Sequence, residues 1–115
     1  YGGNPVCCAA SCAEITEIIE RKLPERAKEM GAYFMEQLHT LSGVKEVRGR
    51  GLLVGVEFEQ PIAFDVKHGC FDHKLLITAV SKNIIRIVPP LIVEKADCDE
   101  AIRILQTVTK ECLQA

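Results

Sequence analysis

At Val44 the hydrophobic period of this chain changes from roughly 3.6 residues, that of a helix, to roughly 2, that of a strand. That switch dictates a mixed fold. Before it, Asn4 can cap a helix whose first position is Pro5, because proline's missing N–H is no loss there and its fixed φ suits the helix. Cys8, Cys12, Ile15 and Ile19 then form one apolar stripe. Leu23-Pro24 breaks the pattern, and Ala27, Met30, Phe34, Leu38 and Leu41 predict a second amphipathic helix, ended by Ser42-Gly43. After the switch, Leu52, Val54, Val56 and Phe58 face one way while Leu53, Gly55 and Glu57 face the other, as in a half-buried strand. Gly49 and Gly51, flanking Arg50, predict a bulge or bend at its entrance.

Gln60-Pro61 closes that strand, and residues 62–73 are expected to form a short helix. Leu75 to Val80 and Ile84 to Val88 are β-branched runs separated by Ser81-Lys82-Asn83, a loop of hairpin length, so they should pair antiparallel. After Pro89-Pro90, Asp97 and Glu100 resemble a capping box, and the last helix carries Ala101, Leu105, Val108 and Cys112 on one face. The expected order is α-α-β-(α)-β-β-α. This is the α+β class, with helices packed on one face of a small, mostly antiparallel sheet and the other face solvated or covered by something else. A chain of 115 residues suffices for one core, so residues 1–115 are read as a single domain.

With 48% apolar residues, 26% charged residues and a net charge of −2, nothing favours nucleic acid or a membrane surface as partner. No apolar run approaches the roughly 18 residues of a membrane span, and no signal peptide is visible, so a cytoplasmic location is expected. The opening Tyr1-Gly2-Gly3-Asn4-Pro5 goes straight into an organised turn, which reads as a piece of a longer protein. Among six cysteines there is no C-x-x-C pair, and Cys8 and Cys12 lie at i and i+4 beside isoleucines. They are expected to be small buried apolar side chains in a reduced compartment rather than metal or redox groups.

Arg86 stands out because it lies inside Ile84-Ile85-Arg86-Ile87-Val88, an otherwise apolar strand. Its charge must reach solvent, a carboxylate partner or a ligand, and its planar fork of donors matches a carboxylate bidentately. An edge-strand arginine exposed to water, or paired with a local glutamate, explains the same pattern. Gly2-Gly3-Asn4-Pro5 before a helix offers N–H groups that can hold an anion such as phosphate, but also makes an ordinary turn and cap. Arg48-Gly49-Arg50-Gly51 lacks the lysine of a phosphate loop and precedes a strand, which favours a bend. Ser11, Ser42 and Ser81 have no motif context, and His39, His68 and His73 show no ligand spacing relative to the cysteines. No lysine reads as a desolvated Schiff-base former.

Taken together, Tyr-Gly-Gly-Asn-Pro at 1–5, the stretch from Ala27 to Met35, Val-Arg-Gly-Arg-Gly-Leu-Leu-Val-Gly-Val-Glu at 47–57 and Ile-Arg-Ile-Val-Pro-Pro-Leu-Ile at 85–92 resemble the class III pyridoxal-phosphate aminotransferases of the acetylornithine/ornithine type. The resemblance covers essentially the whole chain and implies the C-terminal small domain of a fold-type-I enzyme. It implies, further, a homodimer with active sites between subunits and between domains, pyridoxal 5'-phosphate as cofactor, and amino-acid and 2-oxo-acid substrates in arginine biosynthesis. By the same resemblance, Arg86 binds the substrate α-carboxylate, and Tyr1, Gly2 and Gly3 lie near the cofactor phosphate of the neighbouring subunit. The Schiff-base lysine and the rest of the cofactor domain are not in this chain, so no catalytic residue is assigned and the isolated chain is expected to be inactive without bound cofactor. The family usually has glycine where Lys74 stands, and a positive φ there would strain a lysine. The competing expectation is a free-standing α+β module that binds a small carboxylate through Arg86 or mediates protein interaction; coding sequence ahead of Tyr1 discriminates the two.

Overall fold

The computed structural model describes residues 2–115. Asn4 caps α1 (Pro5–Glu20), its Oδ1 accepting from the N–H groups of Val6 at 2.9 Å and Cys7 at 3.3 Å. The stripe of Cys8, Cys12, Ile15 and Ile19 forms as expected, yet α1 buries no residue. Cys7, Cys8 and Cys12 are therefore exposed, against the expectation of buried thiols, because periodicity creates an apolar face without supplying its cover. Cys70 and Cys98 are buried and Cys112 is half-buried. Burial pushes the Cys70 thiol up to about 12, so it stays protonated and unreactive.

The chain turns at Lys22, in the left-handed region at φ 49°, into α2 (Leu23–Leu38) with Pro24 in its first turn. Leu23, Phe34 and Leu38 are its buried apolar side chains. Gly43, at φ 74°, then turns the chain into β1 (Val44–Arg50), which pairs antiparallel with β2 (Leu53–Phe58). The expected bend at Gly49 and Gly51 is instead a hairpin. Gly49 opposes Val54 within the ladder, while Gly51, at φ 57°, sits in the two-residue turn between the paired Arg50 and Leu53. The one irregularity of register lies elsewhere, between Val44 and Glu46.

α3 (Ala63–Asp72) ends in a Schellman motif, in which the Leu75 N–H donates to the Cys70 carbonyl at 2.8 Å and the Lys74 N–H to that of Phe71 at 2.9 Å. β3 (Thr78–Ala79) and β4 (Ile84–Ile87) pair antiparallel as expected, but the ladder of β3 is shorter than the apolar run Leu75 to Val80. Asn83 ties their loop to β2, donating from Nδ2 to the Phe58 carbonyl at 3.1 Å and accepting from the Phe58 N–H at 2.8 Å. α4 (Lys95–Gln114) starts earlier than Asp97-Glu100 suggests: Glu94 is its N-cap, and Asp97 Oδ2 accepts from the Glu94 N–H at 3.0 Å. Glu-x-x-Asp thus takes the place of the expected box, with Asp97 in its third position.

The sheet order is β1-β2-β4-β3, antiparallel throughout. One face meets α2, α3 and α4 through Val54, Val56, Phe58, Ile85 and Ile87, which pack with Phe34, Leu38, Val66, Leu105 and Val108. Each such large side chain contributes about 1.5–3 kcal/mol by leaving water. Contact on this face is close enough that a Cβ on Gly31 of α2 would lie 2.0 Å from the Gly51 carbonyl oxygen. No helix of the described residues covers the opposite face, which holds the site described next.

Candidate functional site

Period-2 alternation along β4 puts Ile85 and Ile87 into the core and Arg86 out, on the helix-free face. The strand is not an edge, since β2 flanks it on one side and β3 on the other, but Arg86 is exposed to water, as the solvated explanation of it expects. Arg86 pairs in register with Gly55 and with Thr78, and Gly55 pairs in turn with Arg48. A row Arg48–Gly55–Arg86–Thr78 therefore crosses all strands on the open face. With no side chain at Gly55, the row has a gap between its two arginines.

No local glutamate pairs with Arg86 among the described residues. Glu57, on the same face, already accepts from Lys45 Nζ at 2.8 Å and from Arg48 at 2.9 Å, and Glu46 accepts from Arg48 at 2.8 Å. Those contacts hold the Glu57 carboxyl below its ordinary range, chiefly through Lys45 and then Arg48, and raise Lys45 and Arg48 above theirs, in both cases chiefly through the hydrogen bond to Glu57. Arg86 makes no ion pair or side-chain hydrogen bond among the described residues. It lines a shallow depression of about 440 Å³ with Arg48, Arg50, Gly55, Val80 and Ile84. Arg26 of α2 steadies the chain beyond β4, donating to the Val93 carbonyl at 2.8 Å and meeting Glu94 at 2.9 Å.

Arg48 and Arg50 were not expected at this site, because residues 48–51 read as a bend. The usable signal was the alternation of Val47 and Gly49 with Arg48 and Arg50, which continues the strand pattern up to the Gly51 turn. The Gly2-Gly3 loop lies apart from this depression and lines a different hollow with Asn4, Cys7, Cys8 and Cys12. Tyr1 lies outside the described residues. Gly2 and Gly3 adopt φ 52° and 80°, and nothing stands within 4 Å of where their Cβ atoms would be. No group of three or more His, Cys, Asp or Glu side chains able to hold a metal ion occurs among the described residues. None of their helices is long and apolar enough to cross a membrane.

Comparison with known proteins gives this geometry a context. An acetylornithine aminotransferase of Caldanaerobacter subterraneus subsp. tengcongensis is 42% identical over 115 residues, covering 96% of this chain and 29% of the relative. An ornithine aminotransferase of Geobacillus sp. is 42% identical over 113 residues, covering 94% of this chain and 27% of the relative. The solved structure of Plasmodium falciparum ornithine delta-aminotransferase matches with a TM-score of 0.85 and 33% identity, over 97% of this chain and 31% of that one. The chain thus spans less than a third of each of these relatives. The family model "Aminotransferase class-III" matches residues 1–109, and with relatives this similar along nearly its whole length, the chain belongs to the class-III aminotransferases.

Proposed function

We propose that this chain is the C-terminal small domain of a pyridoxal-phosphate-dependent transaminase that moves an amino group between N-acetylornithine, or a similar ω-amino donor, and 2-oxoglutarate. In this reading Arg86 binds the substrate α-carboxylate. The observation that carries it is an unpaired guanidinium, fixed on a central strand, beside a glycine that leaves its side of the sheet open. A rigid strand between two neighbours fixes the Arg86 backbone, so the guanidinium fork sets both the position and the rotation of a bound carboxylate. Its contribution is orientation of the reacting carbon, not proton transfer.

The fit of the cofactor to this chain is confined to one edge. Two exposed glycines with positive φ offer backbone N–H groups beside the N-terminus of α1, which suits a phosphate contact, although Asn4 already occupies the Val6 and Cys7 N–H groups. When bound, pyridoxal phosphate supplies an aldehyde that carries the amino group and a conjugated ring that spreads negative charge. The lysine that would hold it belongs to a large domain outside this chain, and the partner subunit of a homodimer completes the arrangement. The uncovered apolar face of α1, with Ile15 and Ile19 exposed, supports a larger protein around this domain.

In the full-length enzyme, Arg86→Ala should lower kcat/KM by an amount corresponding to about 2–4 kcal/mol, as loss of a charge-assisted bidentate pair does. Steady-state kinetics with each substrate in turn measure it. Unchanged kinetics remove Arg86 from the carboxylate site.

A further inference from the structure

Arg86 is the penultimate residue of β4, which ends at Ile87. Pro89 and Pro90 follow and have no N–H with which to extend the ladder. Within residues 88–94 the only backbone hydrogen bond among the described residues runs from the Val93 N–H to the Pro90 carbonyl, at 2.9 Å. A strand end with so few bonds of its own frays unless another element holds it. Arg26 of α2 does so. Its Nη2 carries two hydrogens, and two good acceptors take them, the Val93 carbonyl at 2.8 Å and the Glu94 carboxylate at 2.9 Å. The Ile92 carbonyl, at 3.5 Å, lies at the limit of a bond. Val93 is itself buried in the core and Glu94 caps α4, so one guanidinium joins α2, the connection after β4 and the start of α4. The Arg26 Nε is buried without a partner, so the side chain is enclosed in this pose at some cost to stability.

Between this clamp and Arg86 lie the two prolines, whose rings lock φ, so movement at Val93 passes back to β4 rather than being absorbed on the way. We infer that Arg26 is a positioning residue of the carboxylate site. By holding residues 92–94 it fixes the end of β4, and with it the setting of Arg86 and of the exposed Val88, which alternation puts on the same open face. The inference rests on the assignment of Arg86 to the substrate α-carboxylate. Arg26 acts through Arg86, since both near acceptors of its guanidinium belong to the chain itself. A displacement of about 1 Å at a positioning group is enough to lower a rate by a large factor.

The test is a double-mutant cycle in the full-length enzyme with its cofactor. Arg26→Met keeps the aliphatic stem and removes the clamp. It should lower kcat/KM for 2-oxoglutarate about tenfold in the parent background and less than about twofold in an Arg86→Ala background, because a guanidinium that is absent cannot be misplaced. Amide hydrogen exchange from Leu91 to Glu94 should quicken in the same variant. Should Arg26→Met not fold, Arg26→Lys, which keeps a terminal cation but not the fork, enters the same cycle, with a smaller loss of about threefold that again depends on Arg86. Equal losses in both backgrounds would make Arg26 a structural residue only, and unchanged kcat/KM or unchanged exchange would remove the clamp. Each of these overturns the inference while leaving Arg86 in place. If Arg86→Ala alone leaves kcat/KM unchanged, the α-carboxylate assignment itself falls, and this inference with it.

Discussion

The two faces of the sheet use glycine in opposite ways. On the helix-covered face glycine permits contact: a Cβ on Gly31 would lie 2.0 Å from the Gly51 carbonyl oxygen, and one on Gly69 would lie 2.6 Å from Val108. On the open face glycine permits vacancy: a Cβ on Gly55 would meet nothing nearer than the Arg48 carbonyl oxygen at 3.8 Å. One face is filled to the density of a protein interior, and the other keeps a gap between cations that no folding argument requires. Packing is thus written on one side of the strands and the proposed binding on the other. The sharpest way to break this contrast is Gly31→Ala. Helix propensity alone favours alanine by about 1 kcal/mol. The collision, however, is with backbone of a tight turn that cannot rotate away, and a net loss of about 3 kcal/mol is expected. A urea midpoint equal to or above that of the parent protein would show that α2 does not press on the hairpin.

Gly55→Val probes the other half of the comparison. Valine suits a central strand, and ordinary contact distances await its Cβ, so the denaturation midpoint should hold or rise slightly. Its branches would stand between Arg48 and Arg86, where the row is otherwise open. In the full-length enzyme, KM for substrates should rise about tenfold, through displacement of the bound carboxylate rather than unfolding. A valine enzyme with parental KM would mean that the gap is incidental to binding.

How much of this was legible in the sequence depended on whether a residue's role is local or tertiary. The outward placement of Arg86 follows from alternation within β4, a local property. That β4 is central, and that Glu57 is already engaged by Lys45 and Arg48, depends on strand order and register, which no short-range pattern encodes. β1 went unread as a separate strand because its outward side chains are charged and one inward position is Gly49, leaving Val47 as a weak apolar marker. With β1 unread, Arg48 and Arg50 had no face to belong to. The α1 stripe was plain in sequence, but periodicity does not tell whether the covering surface belongs to the same chain. The start of α4 was misplaced because Glu94 is a poorly preferred cap, and the more familiar capping residue Asp97 serves instead from inside the helix.

The smallest expected effect lies at the seam between the faces, where the chain leaves α3 of the helical layer and heads for β3 at the sheet's edge. Lys74 occupies the left-handed position of the Schellman motif at φ 66°, as the family's usual glycine implied. For a residue with a Cβ, that conformation costs about 1–2 kcal/mol. Glycine there relieves the crowding but enlarges the unfolded ensemble, which returns about 0.5–1 kcal/mol of the gain. Lys74→Gly should therefore stabilise the protein by about 0.5–1 kcal/mol while leaving the kinetics of both substrates unchanged in the full-length enzyme, since Lys74 does not line the depression that holds Arg86. The check is a paired measurement of thermal midpoint and KM. A lower midpoint would show that the lysine makes a compensating interaction at this turn, and a changed KM would show that the seam transmits strain into the open face, dissolving the separation between the two sides.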